Sequence, residues 1–111
     1  MVKKILFICP ANKDRSATAE IIFRQRFPEF EFDSGGTNHK LCAKEGTTPL
    51  SQEQVNWADR IYVMEEKHRQ LILQNSKTEA DQKITVLNIP DHFKFYQKEL
   101  IKILENKVKL I

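Results

Sequence analysis

Cys9, Arg15 and Ser16 are the residues whose types and spacing could do chemistry. A cysteine closes the apolar run Ile5-Leu6-Phe7-Ile8, and an Arg-Ser pair begins six residues later. A loop that leaves a strand and enters a helix turns backbone N–H groups towards its centre. With the helix macrodipole these groups form a site for a tetrahedral oxyanion. An arginine at the end of the loop adds a planar fork that can hold two phosphoryl oxygens. The same positive field stabilises a thiolate, so a cysteine at the loop's start can act as a nucleophile at neutral pH. Ser16 could donate to the sulfur and make it a better leaving group later. The pattern C-x5-R-S alone fits an ordinary βα turn with a buried cysteine equally well. Neither G-x-x-x-x-G-K-[ST] nor G-x-G-x-x-G occurs, which argues against a nucleotide-binding loop.

The mechanism needs strand, loop and helix in that order, and the hydropathy pattern provides them. Residues 3–8 read as a buried strand. Residues 16–27 read as a helix with apolar positions at Ala17, Ile21 and 23–27, stopped by Pro28. Residues 29–33 (EFEFD) alternate with a period of two and predict a strand with one exposed face, ended by Gly35-Gly36. Residues 37–48 lack periodicity and read as a loop. Ser51 and Gln54 form a capping box for a short helix ending near Trp57, an amphipathic core anchor. A third strand is predicted over 60–64, and a helix over 65–74 with two glutamates at its positive end. A β-branched strand follows over 83–88, then a loop over 89–92 and a final helix over 95–110. Strands alternating with helices predict an α/β fold with a parallel sheet, whose ligands meet the carboxyl ends of the strands. Cys9 follows the first strand and Asp91 lies just past the fourth, so both fall on one rim.

Composition bounds the alternatives. A chain of 111 residues with 41% apolar content fits a single domain over 1–111. Three glycines and four prolines argue against a linker-rich or disordered chain. The longest apolar run, residues 5–9, is too short for a bilayer, and polar residues follow too soon for a signal peptide. A cytoplasmic protein without a membrane partner is expected. Cys9 and Cys42 make no disulfide framework. His39 and Cys42 are three residues apart, but His68 and His92 do not complete a zinc site. Unrelated surface histidines and no metal are expected. The net charge of +3 sits in residues 94–111, where five lysines face two glutamates. Lys94, Lys98 and Lys102 recur at helical spacing, which marks a solvated helix face rather than a nucleic-acid-binding tail.

CPANKDRSATAE resembles the phosphate-binding loop of low-molecular-weight protein tyrosine phosphatases, C-x-G-N-x-C-R-S-P-x-A-E. Cys9, Asn12, Arg15, Ser16, Ala19 and Glu20 match it in register. DSGGT at 33–37 is similar to the family's second-strand S-A-G-T, and WADRIYVMEEKHRQL to its third strand and following helix. IPDH, with Asp91, stands where the family carries its acid. The resemblance runs in order from about residue 3 to residue 95 and is closest to a short, predicted-phosphatase branch.

It implies a four-stranded parallel sheet flanked by helices, in the flavodoxin-like order 2-1-3-4, and a cysteine-dependent phosphomonoester hydrolase. Cys9 would attack phosphorus, Arg15 and the loop amides would bind the equatorial oxygens, and Asp91 would protonate the leaving oxygen and then activate water. Ser16 would assist the thiolate, and Asn12 would support a turn of positive φ. Ala11, Lys13 and Asp14 complete the loop. His39 or Leu41 could wall one side of an aryl phosphate, with His92 and Phe93 on the other. Phe93 could equally belong to the core, and Asp91 has a second, less favoured reading as the cap of the turn before the last helix. A phosphorylated protein or small aryl phosphate is the implied partner, with no cofactor.

The sequence departs from the pattern at Ala11, Asp14 and Ala17, which replace glycine, cysteine and proline. Asp14 facing inward would repel a phosphate dianion; facing outward near Lys13 it would be almost harmless. After SGGT the family's substrate-lining loop and a whole helix shrink to about a dozen residues. Apolar sheet surface left bare there would favour a homodimer. The rival reading is the same fold binding a phosphorylated partner or an anion without turnover. Thioredoxin-linked arsenate reduction falls behind, because it needs a downstream cysteine pair that this chain lacks.

Overall fold

The computed structural model describes residues 3–75 and 78–110. Strand β1 (Lys4–Cys9) leads through a loop into helix α1 (Arg15–Arg26), then strand β2 (Glu31–Gly36) and helices α2 (His39–Glu45) and α3 (Gln52–Trp57). Strand β3 (Arg60–Val63) precedes helix α4 (Glu66–Asn75), a 3-10 turn (Thr78–Lys83), strand β4 (Ile84–Val86) and helix α5 (Lys98–Lys107). The strands form one parallel sheet of order β2-β1-β3-β4, as expected.

Both sheet faces are covered, so β1 is apolar on every residue from Ile5 to Cys9 rather than alternating. Ile5, Phe7 and Cys9 join Ala19, Ile22 and Phe23 of α1 and Leu100 and Leu104 of α5 in one core. Phe7 is its hub, stacked on Phe23 and Tyr62 with ring centroids 5.6 Å away in each case. Leu6 and Ile8 point to the opposite face and pack with Val55, Ile61, Val63 and Ile72. That face is closed by α3 and α4, so the expected bare apolar sheet is absent at its centre: Leu6, Ile8, Ile61 and Val63 are all fully buried. Trp57 packs against this core, half-buried, as an anchor.

Several boundaries differ from the sequence reading for local reasons. In α1 the buried face is Ala19, Ile22 and Phe23, while Ala17 and Ile21 are only half-buried. β2 begins at Glu31 and continues through Gly35 and Gly36, which pair in register with Ile8 and Cys9. The glycines therefore extend the strand instead of ending it. Residues 39–45 form α2 rather than a loop. Asn38 accepts from the Leu41 N–H at 3.0 Å, and Gly46 ends the helix at φ 70°. Seven residues are too few to show a helical period in the sequence. β4 is three residues long, since the stretch before it winds into the 3-10 turn. α5 starts only at Lys98 because Tyr96 has φ 59° and gives its N–H to Thr18 Oγ1 at 2.8 Å. The capping box before α3 is present, with Ser51 and Gln54 bonded reciprocally.

Candidate active site

The carboxyl rim of the sheet gathers the loop between β1 and α1, the turn after β3 and the segment after β4. Cys9, last in β1, has its Sγ 3.0 Å from Ser16 Oγ in the first turn of α1. Asn12 adopts φ 52°, the positive value that asparagine tolerates. From there its Nδ2 donates to Ser16 Oγ at 2.9 Å, and its Oδ1 accepts from the Thr48 N–H at 3.3 Å. Ala11 stays outside the left-handed region, so replacing glycine costs the loop no strain. Its carbonyl accepts from Thr47 Oγ1 at 2.5 Å. Thr37 and Asn38 give their N–H groups to the Cys9 and Pro10 carbonyls at 3.1 and 3.0 Å. The segment after β2 thus braces the first part of the loop, residues 9–12. Lys13 is exposed and pairs with Glu45 at 3.2 Å, not with Asp14. Asp14 is half-buried at the N-cap of α1 and makes no side-chain capping bond.

Arg15 ends the loop with its side chain 1% exposed. Nη1 donates to Glu65 Oε1 and to the Ile89 carbonyl, both at 2.6 Å. Nη2 lies 3.4 Å from Asp91 Oδ1 and has no hydrogen-bond partner among the described residues. Asp91 itself is 66% exposed. The hydrogen bond from Arg15 holds the Glu65 carboxyl below the usual range, overriding the opposing effect of burial. The result is a buried cation, hydrogen-bonded through one nitrogen and within ion-pair distance of the Asp91 carboxylate on the other.

Sequence reasoning missed Glu65 and misplaced His68. Glu65 read as a helix-end charge; it precedes α4 and anchors Arg15. His68, expected at the surface, is 1% exposed. Its Nδ1 accepts from the Glu65 N–H at 3.1 Å, so a neutral ring carries its proton on Nε2. Nε2 is 4.0 Å from Glu65 Oε1 and lacks a hydrogen-bond partner among the described residues. Burial, and then the Arg15 charge, push this imidazole down to about 4. The available signal was the Glu-x-x-His spacing directly after an apolar strand, on the same rim as Cys9.

The expected walls are only partly assembled. His92 and Phe93 follow Asp91 with ring centroids 4.2 Å apart, and Phe93 also packs on the first core. His39 is exposed, with Nε2 3.0 Å from the Leu50 carbonyl, and Leu41 is half-buried on α2. Among the described residues no hydrogen bond or ring contact joins His39 or Leu41 to His92 or Phe93. Nor do three His, Cys, Asp or Glu side chains group there as metal ligands would. No helix of the described residues is long and apolar enough to cross a membrane.

No protein-family model matches the sequence, and no curated protein matches it. Solved structures do match. The tyrosine phosphatase Wzb from Escherichia coli K30, in complex with phosphate, superposes with a TM-score of 0.77 at 24% identity over 96% of this chain and 94% of that one. The low-molecular-weight protein tyrosine phosphatase from T. tengcongensis gives 0.72 at 21% identity, over 94% and 91%. The YwlE arginine phosphatase from Geobacillus stearothermophilus gives 0.68 at 20% identity, over 93% and 88%. The fold is the one these phosphatases have, over nearly the whole of each chain.

Proposed function

We propose that the protein is a cysteine-dependent phosphomonoester hydrolase of the low-molecular-weight protein tyrosine phosphatase family, acting on phosphotyrosine or another aryl phosphate. One observation carries the reading: the Cys9 thiol, 3.0 Å from Ser16, opens a loop that ends in buried Arg15 with Nη2 unbonded and Asp91 3.4 Å away. The Cys9 thiolate attacks phosphorus, forming the P–S bond as the ester P–O bond breaks. Asp91, as the acid, gives its proton to the departing aryl oxygen. Asp91 carboxylate then takes a proton from water, which attacks the phosphocysteine and releases orthophosphate and the thiolate. Arg15 Nη2 and the loop amides hold the equatorial oxygens throughout. Ser16 donates to the returning sulfur and lowers the cost of its departure. Likeness to named tyrosine phosphatases supports the aryl ester; likeness to a named arginine phosphatase makes the phosphoramidate the competing substrate to test.

The test is hydrolysis of para-nitrophenyl phosphate and phosphoarginine from about pH 5 to about pH 8. Cys9→Ser should abolish turnover, and Asp91→Asn should lower kcat by about 100-fold or more. An unchanged Asp91→Asn variant would move the acid elsewhere. A second reading, anion or phosphoprotein binding without turnover, is favoured by Asp14, half-buried in the loop with no capping bond. A folded wild type that binds vanadate but turns over neither substrate would establish it.

A further inference from the structure

A groove of about 730 Å³ runs beside the phosphate loop, within the size range of ligand pockets. It begins at Pro10, the residue after Cys9, and passes Thr37 and Asn38, which are hydrogen-bonded to that same stretch of loop. Its floor is apolar, formed by Leu50, Val55, Leu71 and Ile72 between α3 and α4. Leu71 is 41% exposed. Among the described residues, the charged side chains that line the groove are Lys40 and Lys67, accompanied by His39 and His68, with no carboxylate. Lys67 is 67% exposed and only 3.8 Å from Glu65, whose other oxygen is already bonded to Arg15. The wall also contains His68, buried and with Nε2 unbonded.

We propose that this groove binds an acidic, apolar-bearing stretch of a phosphoprotein, a few residues from the phosphorylated side chain held by the Cys9 loop. The clause about the phosphorylated side chain rests on the proposed phosphatase reading; the groove's own preference rests on its charge and floor. A carboxylate of the partner meets Lys40 and Lys67 at the rim, and an apolar side chain covers Leu50 and Leu71. Rim charges of this kind act mainly on association and its salt dependence, while the apolar contact slows release.

The experiment measures fluorescence polarisation of labelled peptides on the Cys9→Ser protein, and steady-state kinetics on wild type. Three peptides suffice: a phosphotyrosyl peptide flanked by Asp, Glu and Leu, the same peptide with Lys and Ser flanks, and the acidic peptide without phosphate. The acidic phosphopeptide should bind about tenfold tighter than the basic one, the effect expected of two exposed ion pairs. Lys40→Glu/Lys67→Glu should erase that preference and raise KM for the acidic peptide; Lys40→Glu alone, remote from the Glu65–Arg15 pair, should weaken it and leave kcat/KM for para-nitrophenyl phosphate unchanged. Leu71→Ser should weaken both acidic peptides. Equal binding of acidic and basic flanks, or a preference that survives the double charge reversal, would overturn the proposal. If wild type does not hydrolyse para-nitrophenyl phosphate, the unphosphorylated acidic peptide decides. Binding that the charge reversal abolishes keeps the groove and removes the phosphatase reading, and no binding removes both.

Discussion

Arg15 is a buried cation whose position depends on two carboxylates and one carbonyl. Breaking such a pair strands the remaining charge, whereas an isosteric amide keeps a hydrogen-bond acceptor in place. Glu65→Gln should therefore leave the protein folded but let the guanidinium drift. A misplacement of about 1 Å costs on the order of 100-fold in kcat/KM; steady-state kinetics beside a thermal melt would show it. Unchanged kinetics would mean that the Ile89 carbonyl and Asp91 fix Arg15 without the Glu65 charge. His68 supplies a pH signature. Its folded value of about 4 lies below its ordinary 6.5, so as pH falls the unfolded chain takes up the proton first. This contribution is complete above pH 6.5 and is lost as pH falls from there towards 4. Between about pH 7 and pH 5 the loss is about 2 kcal/mol. Urea unfolding at those two pH values should show that slope in wild type and a shallower one in His68→Gln. Cys9, Asn12, Arg15 and Ser16 were legible because the chain places them within eight residues of one another. Glu65 was not, since its bond to Arg15 spans 50 positions and no local pattern encodes it.

Helices and strands were readable where an apolar period had room to repeat. β1, α1 and the capped start of α3 had that room; α2 and β4 did not. The β2 glycines show the limit most clearly. In the sequence a Gly-Gly pair is a strand breaker, but here the pair is the part of β2 that approaches the loop. A Cβ on Gly36 would collide with Cys42 Sγ and with the Pro10 carbonyl oxygen, and the latter cannot swing aside as a side chain can. Gly36→Ala should destabilise by about 1–3 kcal/mol and displace the loop. Denaturant unfolding and vanadate affinity should therefore fail together, while an alanine tolerated in both assays would show that β2 can shift without cost.

Two cores share one sheet, and α5 closes the first of them. Leu100 and Leu104 are fully buried against the Phe7 cluster, and Arg26 at the end of α1 is ion-paired with Glu105. Leu104→Ala should lower stability by about 2–5 kcal/mol, read as a fall in urea midpoint at unchanged slope. A markedly changed slope would mean that α5 docks independently of the rest. The parallel sheet and this closing helix were legible because strands alternate with amphipathic helices along the chain, whereas the strand order was legible only through the resemblance of the loop and its flanking segments. The groove beside the loop was not legible. It depends on how far α2 reaches, which only the folded backbone fixes.

The brace on the loop between β1 and α1 has a kinetic meaning. The Thr37, Asn38, Thr47 and Thr48 bonds tie the segment after β2 to four consecutive loop residues, 9–12. A strand end bonded so closely cannot act as a door that opens and shuts during turnover. An anion should meet a finished receptor, and the observed rate of vanadate binding in stopped flow should climb linearly with concentration without reaching a plateau. In the proposed hydrolysis, the slow step would then lie after arrival.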